Sequence, residues 1–117
     1  MMAGIAYKGT QTPVPGLGIE DAGLSETTTY NYPNPFSGET TIRFILLTPE
    51  EVNVKVYDIN DALVWQKNIP IAAAKAGINC LIWPGINDRG ENISNGVYIL
   101  EVAVQKKTVR KRIVLIN

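Results

Sequence analysis

Residues 97–116 read VYILEVAVQKKTVRKRIVLI, two apolar-alternating runs joined by a polar, lysine-containing turn. Tyr98, Leu100, Val102 and Val104 fall on one face at a period of two, with Val97, Ile99, Glu101 and Ala103 on the other. That is the period of a pleated strand, whose successive side chains point to opposite faces. Residues 97–106 and 108–116 are therefore expected to form a closing β-hairpin.

The same pattern recurs upstream. Residues 40–47 (TTIRFILL) set Ile42, Phe44 and Leu46 against Thr41, Arg43 and Ile45. Residues 52–58 (VNVKVYD) place Val52, Val54 and Val56 on one face. Asn60-Asp61 is a tight-turn signal, because both residue types tolerate positive φ, and residues 62–67 (ALVWQK) complete a second hairpin. Residues 72–76 (AAAKA) have helix-forming composition but are too short to nucleate, so they are expected to be a loop or a switch between sheets. Residues 78–83 (INCLIW) form another strand, and 84–96 a long turn region. Six or seven short strands with turn signals every 8 to 12 residues predict an all-β, antiparallel β-sandwich over residues 30–117.

Residues 1–29 hold five of the ten glycines and carry no period of 2 or 3.6, so they are expected to be an irregular N-terminal arm or linker. The opening residues lack the apolar core of a signal peptide, so any export signal is expected on a longer precursor. No apolar run approaches the 18 residues of a membrane-spanning helix.

The 117 residues balance 11 Lys+Arg against 11 Asp+Glu, which gives no global basic field for nucleic acid. The chain has no His, which removes the usual general base and the commonest metal ligand. A lone Cys80 leaves no intrachain disulfide. Ser25, Ser37 and Ser94 sit in no nucleophile-elbow setting, and no glycine-rich phosphate loop opens a helix. Asp58 with Asp61, and Asn87-Asp88 with Glu91 and Asn92, offer oxygens without the full spacing of a calcium loop. No enzyme, cofactor or metal is expected.

The order of the turn residues is more specific. Tyr30-x-Tyr32-Pro33-Asn34-Pro35-Phe36 precedes Thr40 and Phe44, then Val54-Lys-Val-Tyr-Asp58. Asn79, Trp83-Pro84-Gly85, Asp88-Arg89-Gly90, Asn95-Gly96-Val97-Tyr98 and a basic closing strand follow. This order resembles the immunoglobulin-like C-terminal domain shared by flagellar hook-capping proteins and type A sorting domains of the bacterial type IX secretion system. Two positions depart from the family pattern: Pro84 stands where Asp is usual and Asp61 where Gly is common. Both lie in turns, so the fold expectation is unaffected. The resemblance implies an immunoglobulin-like (fibronectin III-like) sandwich of about seven strands. It also implies a non-catalytic module for secretion sorting or cell-surface attachment, carried by a secreted or cell-surface bacterial protein. The alternative is a small structural subunit of an extracellular or cell-envelope assembly, whose N-terminal arm docks on a neighbour. An accessory carbohydrate-binding role would need an exposed aromatic row, with Tyr7, Tyr57 and Trp65 as its candidates.

Charge is concentrated at the end. Lys106, Lys107, Arg110, Lys111 and Arg112 stand in residues 106–117 with no acidic side chain, which leaves 6 basic against 11 acidic before them. Cations on an edge strand deter edge-to-edge aggregation. The resemblance adds that this basic end is read by a protein partner, either secretion machinery or a neighbouring subunit. No aromatic platform interleaves these cations, so nucleic acid is not expected.

Overall fold

In a computed structural model describing residues 23–117, the alternating runs become seven strands. They are β1 (Tyr30–Tyr32), β2 (Thr40–Leu46), β3 (Val52–Asp58), β4 (Leu63–Ile69), β5 (Gly77–Trp83), β6 (Gly96–Val104) and β7 (Lys107–Leu115). All pairings are antiparallel, in a three-stranded sheet β1-β2-β5 and a four-stranded sheet β4-β3-β6-β7. The alternation predicted from sequence sets which side of each strand is buried. Ile42, Phe44 and Leu46 of β2 meet Val52, Val54 and Val56 of β3, and Leu100 and Val102 of β6, between the sheets.

Trp83 ends β5 fully buried and links the layers. Its ring centroid lies 5.6 Å from Phe36, 6.0 Å from Trp65 and 6.3 Å from Tyr98, the last edge-on. Its indole N–H donates to the Ile86 carbonyl at 3.0 Å, so the one polar atom of the ring is satisfied. The Tyr98 hydroxyl similarly donates to the Ser94 carbonyl at 2.6 Å and holds the loop before β6.

Trp65 differs from the expectation of a spare surface aromatic. The β3–β4 register shifts between Val56 and Tyr57, which turns Trp65 inward opposite Val56 with 9% of its surface exposed. A bulge of this kind re-aims side chains in a way that strict alternation does not foresee. Asp61 lies in the β3–β4 turn at φ 69°, the left-handed region that explains why glycine suits the position.

Residues 70–76 carry the chain from the four-stranded to the three-stranded sheet as a loop with a single 3₁₀ turn, Ile71–Ala73, the first of the two alternatives the sequence left open. Asn79 fastens this crossing. Its side chain accepts from the Lys75 N–H at 3.2 Å and donates to the Lys75 carbonyl at 2.9 Å.

The last part of the sequence-predicted arm packs on the sandwich. Leu24 is buried in the core cluster, and Thr28 bonds to Ser25 and to the Gly23 carbonyl. The remainder of that arm, residues 1–22 with Tyr7, lies outside the described residues.

Candidate partner-binding strand

Strand β7 is an edge strand, paired with β6 from Gly96↔Leu115 to Val104↔Lys107 without a register break. The period of two turns Val109, Ile113 and Leu115 into the core. Thr108, Arg110, Arg112 and Val114 face the outside of the sheet. The five basic residues are therefore gathered on one strand and its leading turn, but not on one face.

Lys106 and Lys107 are exposed at the β6–β7 turn, and Arg112 is exposed midway along β7. None of the three has an ion pair among the described residues. Arg110 is tied down. Its Nε donates to Glu101 at 3.0 Å, a second nitrogen lies 3.5 Å from Asp61, and the guanidinium carbon stands 5.0 Å above the Tyr57 ring. The hydrogen bond to Glu101 raises the Arg110 pKa above its ordinary value; desolvation opposes this, and the charges of Glu101 and Asp61 reinforce it. Lys111 is half-buried, and its ammonium donates to the Glu26 carbonyl at 2.8 Å.

The outer edge of β7 is divided in two. Pro33 and Pro35 have no N–H to offer a ladder, so the Asn34 side chain supplies the pairing between them. Its oxygen accepts from the Val114 N–H at 3.0 Å, and its nitrogen donates to the Arg112 carbonyl at 3.3 Å. Phe36 continues as a parallel bridge, donating to Val114 and accepting from Ile116, each at 2.9 Å. Asn117 closes this corner, with its side-chain oxygen accepting from the Gly38 N–H at 2.9 Å. The outward-pointing N–H groups of Thr108, Arg110 and Arg112 have no partner among the described residues.

Asp88 guards the opposite edge in the same manner. Its backbone N–H donates to the Val64 carbonyl at 3.0 Å, and its carboxylate accepts from the Gln66 N–H at 3.1 Å. Other turn oxygens are also engaged, Asp61 with Arg110, Glu91 with Asn87 and Arg89, and Asp58 and Asn87 with backbone. Asp58 accepts from Asn60 and Ala62, and Asn87 from Arg89 and Glu91. No cluster of three or more potential acidic, Cys or His metal ligands occurs among the described residues. Excess chelator is accordingly expected to leave the melting temperature unchanged. A drop that calcium reverses would show that these oxygens hold a metal.

Of the aromatics considered for carbohydrate, Trp65 is in the core and Tyr57 lies under Arg110. Among the described residues the exposed aromatic pair is instead Tyr30 and Tyr32, on the outer face of the small sheet.

An immunoglobulin-like sandwich whose outer strands are partly covered by Asn34, Phe36 and Asp88 defines the class of domain. The secretion system C-terminal sorting domain family matches residues 31–117, and the chain belongs to that family. It is a sorting module of an exported protein bound for secretion or the cell surface.

Similar solved structures include PorZ of Porphyromonas gingivalis, a surface component of its type IX secretion system. It shares 24% identity at TM-score 0.55, over 76% of this chain and 11% of that one. Dimeric latent PorU from the same organism shares 19% at TM-score 0.61, over 75% and 9%. The hook-capping protein FlgD of Xanthomonas campestris shares 18% at TM-score 0.53, over 78% and 62%. This chain thus spans only about a tenth of the length of PorZ or PorU. No curated protein matches it.

Proposed function

We propose that this module routes a carrier protein through a type IX secretion system without catalysing any reaction itself, and that the cations around β7 contact the machinery. The observation that carries this reading is that Lys106, Lys107 and Arg112, on β7 and its leading turn, have no ion pair among the described residues. Backbone pairing holds β7 in place before any partner arrives, so recognition loses little conformational entropy there. Arg110 and Lys111, already bonded within the module, hold β7 in register beside these three exposed cations.

A fluorescent reporter with a cleavable inner-membrane export signal at its N-terminus and residues 1–117 at its C-terminus, expressed in a type IX-secreting bacterium, tests the proposal. The reporter is expected outside the cell with the module and inside without it. Replacing Lys106, Lys107 and Arg112 together by Gln removes three exposed contacts worth about 0.5 kcal/mol each, which lowers partner affinity and export about tenfold. Folding stability is expected to stay within about 0.5 kcal/mol of the parent. Unchanged export of the triple variant would reduce these cations to guards against aggregation.

A further inference from the structure

An edge strand left half-paired presents a template of backbone donors and acceptors. In β7, the Asn34–Phe36 segment covers the edge at Arg112 O, Val114 and Ile116, and stops there. Alternation from Val114 fixes which groups point outward in the remainder: those of Thr108 and Arg110, and the N–H of Arg112. The open stretch covers five residues, about 17 Å of extended backbone. Lys106 and Lys107 flank one end and Arg112 the other, all exposed and without ion pairs among the described residues.

We infer that the open edge from Thr108 to Arg112 receives an extended, acidic segment of a protein partner as an added β-strand. The inference rests on the partner-binding reading of β7 and states how that contact is made. Backbone pairing along the edge supplies affinity, and alternate carboxylates facing Arg112 and the lysines supply specificity. Charge argues against a second copy as the occupant. A two-fold antiparallel pairing centred on Arg110 would set that residue opposite its own copy, and directly opposed like charges are destabilising.

The probe is the acetylated, amidated peptide Thr-Glu-Val-Glu-Val-Glu-Thr, with its Lys-for-Glu counterpart as control. Each is titrated into the full chain while amide hydrogen exchange is followed by NMR. The acidic peptide is expected to slow exchange at Thr108, Arg110 and Arg112, with no such effect from the basic one. Thr108→Pro removes one outward N–H at a position where an edge tolerates proline, and is expected to weaken the acidic peptide about tenfold. Thr108→Val keeps the N–H and is expected to bind as the parent does.

Four results would overturn the inference. Acidic-peptide binding without amide protection would be side-chain attraction alone. Protection already present without peptide would mean that the chain covers its own edge, and protection rising with protein concentration would mean that a second copy does. In the export assay, a well-folded Thr108→Pro variant exported like the parent would sink strand addition and leave the sorting role standing. Failure of the parent module itself to direct export would sink the sorting role instead.

Discussion

Trp83→Ala is expected to destabilise the domain by about 3–5 kcal/mol. The side chain is fully buried at the end of β5, and three aromatic rings close around it. Phe36 comes from the segment between β1 and β2, and Trp65 and Tyr98 from the opposite sheet. Removing the indole therefore opens a cavity that no single element can collapse to fill. The Ile86 carbonyl also loses the donor it now has at 3.0 Å. Guanidinium unfolding checks the value, and a loss below about 1 kcal/mol would mean that Trp83 does not fill the core. Trp83→Phe, which keeps a ring but not the N–H, is expected to lose roughly half as much.

Gly85→Ala is the second large effect, about 2–3 kcal/mol, from two separable causes. Gly85 has φ +69°, where a side chain costs about 1–2 kcal/mol. A Cβ there would also sit 3.0 Å from the Gly38 carbonyl oxygen, a backbone atom, and 3.6 Å from the Phe36 ring. Gly90 is the control. It has φ +78° with nothing within 4 Å, so Gly90→Ala is expected to lose only about 1 kcal/mol. The difference between the two variants measures how tightly the loop around Phe36 is held against the turn after Trp83. Equal losses would show that this loop yields to a methyl group without cost.

Strands with one buried face were legible in the sequence because alternation is a local property. Ile42 with Phe44, Val54 with Val56, and Leu100 with Val102 all lie in the predicted layer. Trp65 was not legible, because its direction depends on a register shift that only the paired strand reveals. The edge role of Asn34 was hidden for a similar reason. The sequence shows an Asn between two prolines, but its hydrogen-bond partners lie about 80 residues away. Period two separates Arg110 and Arg112 from Lys111, yet it cannot say that Asp61 and Glu101 occupy Arg110 while Arg112 has no ion pair among the described residues. That division follows from which turn and which neighbouring strand the fold brings alongside.

The pairing of Asn34 and Phe36 with Val114 and Ile116 makes the first part of the sandwich wait for the last. A ribosome that has not yet released residues 107–117 leaves Val109, Ile113 and Leu115 missing from the core, and Phe36 with no strand to bridge. Contacts of such long sequence separation form late and slowly. A chain cut short before β7 cannot close the sandwich, so the folded module is a receipt for translation that has passed through that strand. Any partner that requires the closed sandwich would thereby turn away chains truncated before β7.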